Sequence, residues 1–300
     1  MSVLGGVLLN LILALLLAPL FEGMMRKLKA VIHSRKGPPI IQPYIDLLKL
    51  LGKEDLQPGG GTIFRMAPVV ALGAMLVAAT LTPLGGKPPL GLAGDTIVWI
   101  YVISLAAVAI MLGAFASGNP YSYAGASREM MMLLSVEPVV IVALLAAGVK
   151  AQTLVMGEMM GWQLAHGPTV SMAVAGIAFF LALQANAGRL PFDIVEAETE
   201  IVEGPFMEYS GPRLALYKLA SYIRQFVFSF VLVSIFIPWP MVKLLPLAIL
   251  IGLAKVLVVL LLIGVIDSVN PRLRVDQAMN YMGRVLFVAL AALAFAVIGV

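Results

Sequence analysis

The sequence predicts an all-α, polytopic membrane protein, and three observations carry that prediction. Of the 300 residues, 61% are hydrophobic and only 12% are charged, whereas soluble domains carry about a quarter charged residues. The mean hydropathy is +1.01. Apolar runs long enough to cross roughly 30 Å of hydrocarbon recur near 3–21, 66–84, 97–117, 130–149, 169–187, 225–242, 244–265 and 284–300. They predict about eight transmembrane helices forming a single membrane domain over 1–300. The first run has no basic segment before it and no small-x-small cleavage site after it, so it is read as a retained first helix. The sixth is the weakest, because Pro238 and Pro240 end its apolar stretch after a polar start at Ser221 to Gln225.

Basic residues orient these spans. Alternate connections hold Arg26, Lys27, Lys29, Arg35, Lys36, Lys49, Lys53, Arg65, Arg128, Arg189, Arg213, Lys218, Arg224, Arg272, Arg274 and Arg284, and the other side holds Lys87, Lys150 and Lys243, sixteen against three. The rich side is expected to be cytoplasmic, and with eight spans both termini face outside.

The basic cytoplasmic connection, 22–65, leaves the membrane through Arg26, Lys27 and Lys29 and then meets Arg35-Lys36-Gly37-Pro38-Pro39, where the prolines force an extended turn. From Pro43 a short amphipathic helix is expected, with Ile45, Leu48 and Leu51 on one face and Asp46, Lys49 and Lys53 on the other. Its basic residues suit anionic lipid. Gln57 to Gly61 reads as a linker, and Pro83 to Pro89 as a tight external turn. In Asn119 to Glu129, Tyr121 and Tyr123 read as headgroup anchors, and Arg128-Glu129 forms a charge pair at the mouth of the fourth span.

The acidic cytoplasmic connection, 188–224, is the most polar stretch. It holds Asp193, Glu196, Glu198, Glu200, Glu203 and Glu208, six of the sixteen carboxylates. Asp193, Glu196, Glu200 and Glu203 step by three, four and three, which places them on one face if 193–203 is helical. Unless basic partners are supplied, such a row raises its own pKa values and holds shared protons, as a relay needs. A solvated acidic loop accounts for the composition equally well.

Two ionisable residues lie inside spans, where they are costly and mark function. Glu137 precedes Pro138, which frees a carbonyl near it; a protonated Glu bonded to a neighbouring helix is the plainer alternative. Lys255 is too deep to snorkel, so a carboxylate partner is expected, either Glu137 or a member of the acidic row; a Lys facing another subunit is the alternative. In the last connection Arg272 and Arg274 are placed to answer the acidic row, with Asp276 beside them. The chain has no Cys and only His33 and His166. An iron–sulfur cluster in this chain is thereby excluded, and a His-based metal or haem site disfavoured. No nucleotide-binding, metalloprotease or nucleophile-elbow pattern occurs in a usable context.

Four stretches, in order, resemble the subunit-1 family of respiratory complex I and its relatives in energy-converting, group 4 [NiFe] hydrogenases: RKGPPIIQPYIDLLKLLGKE (35–54), REMMMLLSVEP (128–138), LPFDIVEAETEIVEGPFMEYSGPRLALYKLASYI (190–223) and PRLRVDQAMNYMG (271–283). The compact Gly37-Pro38-Pro39-Ile40-Ile41-Gln42-Pro43 loop, without the extra residues of complex I members, is more similar to the hydrogenase branch or to related sulfane-sulfur-reducing membrane complexes, and weighs against a quinone site. The resemblance implies a non-redox coupling subunit. It would dock a hydrogenase-like large subunit and an iron–sulfur small subunit, fed indirectly by ferredoxin, onto antiporter-like membrane subunits. It implies no cofactor in this chain, with a [NiFe] centre and iron–sulfur clusters in the partners. It also implies a charge or proton relay through Glu137, Asp193, Glu196, Glu198, Glu200 and Glu203, with Lys255 added from its depth in the seventh span. A docking face would include Arg35, Lys36, Gly37, Pro38, Gln42, Pro43, Arg272, Arg274 and Asp276. Nothing points to nucleic acid. A stand-alone secondary transporter using Glu137 and Lys255 is a competing expectation, although no two matching halves are visible; a passive anchor leaves both residues unexplained.

Overall fold

The computed structural model describes residues 3–56, 61–84, 88–91, 95–240, 242 and 244–299. Most of the Gln57 to Gly61 linker, the Gly85-Gly86-Lys87 centre of the external turn, Lys243 and the side chain of Glu198 lie outside the described residues. The elements in order are α1 (Val3–Ile32), α2 (Gln42–Leu51), α3 (Thr62–Leu81), α4 (Asp95–Ala116), α5 (Pro120–Ala151), α6 (Met156–His166), α7 (Val170–Asn186), α8 (Glu198–Ile201), a 3-10 turn (Gly204–Phe206), α9 (Gly211–Phe236), α10 (Leu245–Val269) and α11 (Val275–Ile298). The class is all-helical, as expected. Among the described residues seven helices are long and apolar enough to cross a membrane, and α7 is a shorter apolar helix of 17 residues.

Several helices outrun their apolar cores for reasons visible at their ends. Helix α5 starts ten residues before the hydrophobic run, because the Asn119 side chain accepts from the Tyr121 backbone N–H at 2.8 Å and Pro120 occupies the first helical position. Helix α9, expected to be the weakest span, runs 26 residues from Gly211-Pro212. It is the axis of the bundle: 83% of its apolar stretch is buried, against 28% in α1, α10 and α11. Trp99 of α4 meets Phe228 edge-on at 5.0 Å, Phe179 of α7 lies 5.6 Å from Phe236, and Phe21 of α1 stacks on Phe226 at 5.8 Å. Three helices thus converge on α9 through aromatic contacts of a kind that adds to simple area burial. Helix α6, on the connection between α5 and α7, has no counterpart among the sequence expectations. Its N-terminus is held by Asp95, whose Oδ1 accepts from the Met156 N–H at 2.8 Å.

The first connection folds back instead of leaving. Ser34 and Gly37 take positive φ values of 54° and 63° after α1, and the chain descends until the Ile40 carbonyl presses on Gly23. At 1.5 Å per residue, α1 therefore projects roughly 14 Å beyond the level of Gly23. Helix α2 lies against α1 and α9 at that lower level, with the Tyr44 hydroxyl donating to the Leu16 carbonyl. Ile45, Leu48 and Leu51 point outward, at 46%, 69% and 52% exposure, while Asp46 turns inward to Arg26.

A Cβ on Gly23 would sit 1.8 Å from the Ile40 carbonyl oxygen, an impossible contact with backbone. Gly23→Ala should therefore lower stability by about 1–3 kcal/mol or more, read as a lower thermal midpoint of the solubilised protein. Gly73→Ala, which meets nothing within 4 Å, should leave the midpoint unchanged or raise it slightly.

Candidate functional site

The C-terminal half of α1, the N-terminal half of α9, the end of α10 and the 187–197 connection enclose a polar cavity of about 350 Å³. Glu22, only 3% exposed, stands at its centre and is paired twice, to Arg26 of its own helix at 2.9 Å and to Arg189. Arg26 also reaches Asp46 of α2 at 3.1 Å and donates to the Tyr222 hydroxyl of α9 at 2.9 Å. Burial alone would push the Arg189 guanidinium toward its neutral form, but the Glu22 carboxylate overrides that and holds its pKa above the ordinary value. Lys29 pairs with Asp267 of α10 at 2.9 Å, and the other Asp267 oxygen accepts from the Leu190 N–H at 3.0 Å. One cluster of charges thereby ties α1, α2, α9, α10 and the acidic connection together.

The acidic residues do not form a helix face. Only Glu198–Ile201 is helical, and the turn ends at Val202 with φ 60°, a strained conformation for a β-branched residue. Gly204 follows with φ 52°, and a Cβ there would meet the Val195 carbonyl at 2.2 Å. The carboxylates consequently fan out to separate bases. Asp193 pairs with Arg272 at 2.6 Å, Glu196 with Lys218 at 3.5 Å and Glu200 with Arg128 at 2.6 Å. Lys218 also feels the charge of Glu203. Arg272 answers the row, and donates to Thr199 at 2.9 Å as well. Arg274 does not; it caps α11, its backbone N–H donating to Gln277 at 3.1 Å. Asp276, Arg35, Lys36 and Gly37 are exposed, Pro38 and Gln42 half-buried and Pro43 buried. Arg128 and Glu129 do not pair with each other, because Glu129 is held by Arg224 at 3.4 Å.

Inside the bundle, Glu137 of α5 is half-buried and accepts from the Ser104 hydroxyl of α4. Among the described residues Lys255 meets no carboxylate. Its ammonium donates to the Ile237 and Pro238 carbonyls at 3.1 and 2.9 Å, just past the end of α9. Those carbonyls lie where the helix has stopped, so no helical N–H reaches them, and the negative end of the helix dipole suits a cation. Lys255 and Glu137 are thus separate features.

The residues missing from the sequence expectations are Glu22, Glu129, Arg189, Lys218, Tyr222, Arg224 and Asp267 as site members. Glu22 and Arg26 were detectable as an i, i+4 pair just beyond an apolar run. A second cavity opens beside the first, sharing Gly188, Glu196 and Arg224 with it. It runs along α5 from Glu129 to Val136, and its deeper walls are the apolar side chains of Ile103, Ala107, Met132 and Leu133.

The chain matches the family model described as NADH dehydrogenase over residues 5–298. It is 35% identical to formate hydrogenlyase subunit 4 of Escherichia coli over 285 residues, covering 90% of this chain and 92% of that one. Hydrogenase-4 component C of the same organism is also 35% identical, with 87% and 85% covered. A subunit of the NADH-quinone oxidoreductase of Thermomicrobium roseum is 33% identical, with 78% and 76% covered. Among solved structures, a chain of the membrane-bound sulfane sulfur reductase, an archaeal respiratory membrane complex, superimposes with a TM-score of 0.88 at 29% identity, covering 99% of this chain and all of that one. With its apolar helices, this likeness marks a multi-pass protein of the prokaryotic plasma membrane. The chain belongs to the NADH dehydrogenase family that includes subunit 1 of respiratory complex I.

Proposed function

We propose that this chain is the non-redox coupling subunit of a membrane hydrogenase. It docks the electron-transfer arm onto ion-translocating membrane subunits and relays charge or protons for H⁺ or Na⁺ pumping driven by ferredoxin-dependent hydrogen evolution. The observation that carries this is the series of compensated charges that begins at Arg272–Asp193 on the polar surface and continues through Glu196–Lys218 and Arg224–Glu129 toward Glu137. Each carboxylate is held by a base from a different element, so a charge change at one pair alters the field at the next. A dense polar cluster of this kind is more than an anchor needs, and Glu137 is a carboxylate inside a span that is bonded to a hydroxyl and, among the described residues, to no base.

The hydrogenase branch is favoured by the names of the two E. coli relatives and by the short Gly37 to Pro43 loop. Reduction of sulfur is the second reading, favoured by the sulfane sulfur reductase fold match over essentially the whole chain. In either case the redox chemistry belongs to partner chains, since a chain without Cys cannot ligate an iron–sulfur cluster through thiolates. The exposed Arg35, Lys36 and Arg274, with Asp276, form the docking edge in this reading.

Three measurements test it. Nickel, iron and hydrogen evolution should co-purify with this chain in a gently solubilised complex; iron with sulfide production and no nickel would select the sulfur-reducing branch, and the absence of both metals would sink the coupling role. Glu137→Gln should reduce ion uptake by inverted vesicles to the leak level while the complex assembles with wild-type metal content, and undiminished uptake would remove Glu137 from the relay. Arg189→Gln leaves Glu22 half-compensated in a buried site and should destabilise the protein by about 3–5 kcal/mol. Arg189→Lys, which keeps the charge, should recover most of that loss.

A further inference from the structure

One ionisable group inside the spans stands apart from the charge series. Lys255 is the eleventh of the 25 residues of α10, about 15 Å from the start of the helix. Everything before it in α10, from Leu245 to Ala254, is apolar, so its charge lies well inside the apolar layer, where it is costly. Pro238 explains what it meets there. Ile237, the residue before that proline, leaves the helical region at φ −130° and ψ 57°, and α9 stops at Phe236. The axis of the bundle thus ends within the apolar layer, and the backbone past its end has to be satisfied by protein.

The Lys255 ammonium supplies that satisfaction, donating to the Ile237 and Pro238 carbonyls at 3.1 and 2.9 Å. Beside it lies a cavity of about 40 Å³ between α9 and α10, whose walls include Met160, Phe230, Ser234 and Gly252 and, among the described residues, no carboxylate. Free carbonyls at a helix end inside a membrane are the ligands that hold alkali cations at discontinuous helices and in selectivity filters, and the negative end of the helix dipole adds to them. An uncharged amide satisfies carbonyls at less cost than an ammonium at this depth. Charge is what sets Lys255 apart from a plain helix cap. Its place in the bundle gives that charge a use. The polar chamber extends along α9 as far as Gln225, and the cavity beside Lys255 begins at Phe230. Only about 7.5 Å of helix separates the two, so a cation that entered the chamber would have a short apolar stretch to cross.

We propose that the end of α9 is a seat for a monovalent alkali cation, filled in this chain by the tethered ammonium of Lys255, whose charge bars free cations from crossing the bundle beside α9. The ammonium carries the single charge of an alkali ion and takes its place on the two carbonyls. With no carboxylate beside it among the described residues, its field is only partly offset by the carbonyl dipoles, and a second cation is repelled strongly in a medium of low dielectric. The stem of the side chain keeps the charge in place. None of the paired acids of the chamber takes part.

The test compares three variants of the whole complex. Lys255→Arg keeps the charge, Lys255→Gln keeps a donor without charge, and Lys255→Met keeps neither. Passive entry of Na⁺ or K⁺ into proteoliposomes is measured with no reductant present, so that the coupling role does not enter. It should rise at least about tenfold in Lys255→Gln and Lys255→Met, as a modest loss of barrier height gives, and stay at the wild-type level in Lys255→Arg. The thermal midpoint of solubilised Lys255→Met should fall below that of the wild type in choline chloride. It should recover saturably when sodium or potassium chloride replaces the choline salt at equal ionic strength, by more than the midpoint of Lys255→Arg responds. Wild-type entry in both Lys255→Gln and Lys255→Met overturns the barrier, and a Lys255→Met midpoint that no alkali cation restores overturns the seat. If Lys255→Met fails to assemble, entry in Lys255→Gln decides alone.

Discussion

The burial of Glu22 is the constraint on which the polar half of the molecule depends. An isolated carboxylate at 3% exposure is untenable in a low-dielectric interior, so the fold must bring cations to it and keep them there. One comes from its own helix, one turn on; the other, Arg189, must be delivered by the connection after α7. Arg26 is in turn shared with Asp46 and Tyr222, which draws α2 and α9 to the same point. A basic turn, an amphipathic helix and an acidic connection, far apart in sequence, are thereby brought to one cavity by the need to neutralise a single charge.

Compensation has a consequence for signalling. Breaking one member of a buried ion pair costs several kcal/mol because it strands the other, so the pairs around the cavity hold their charge states against small perturbations. They respond together when a partner is displaced, since three of the bases stand within reach of more than one acid: Lys218 near Glu196 and Glu203, Arg189 near Glu22, Asp267 and Glu196, and Arg26 near Glu22 and Asp46. A docked redox partner that moved Arg272 away from Asp193 would change the field for the whole cluster. The strain at Val202 lies in the same connection, where two packings of a short segment need differ by only a few kcal/mol to be interconvertible.

The spans were legible because hydropathy averaged over about twenty residues is insensitive to details. Boundaries failed where polar residues stay helical inside a protein-lined cavity: α9 begins at Gly211, fourteen residues before its apolar run, because Lys218, Tyr222 and Arg224 face the chamber instead of water. The three, four, three spacing of the acidic row imitated a helix, but Val202 and Gly204 at positive φ break the chain where the period would need to continue, a backbone choice that spacing does not report. The location of the acids was legible, and so was Arg272 as a partner; Arg128 and Lys218 were not, since they come from two other elements, α5 and α9. The partner of Lys255 lies just past the end of α9, where the Ile237 and Pro238 carbonyls have no helical donor; in the sequence Pro238 and Pro240 read only as a stop signal, and the carbonyls that a helix end leaves free carry no side-chain signature.

The bundle therefore separates two requirements that conflict in one place. In the proposed coupling role, a region that senses a redox partner has to be polar and densely paired, and the chamber around Glu22 is both. A region that holds ion-motive work has to be poor in polar groups, because a standing water path would let protons run back, and the deeper walls of the cavity beside α5 are the apolar side chains of Ile103, Ala107, Met132 and Leu133. Arg224 belongs to α9, most of whose apolar stretch is buried, and lines both cavities, so a shift in its position acts on each. In the coupling role proposed above, a side chain that exchanges one partner for another changes the charge presented to both cavities without a large movement of the helices.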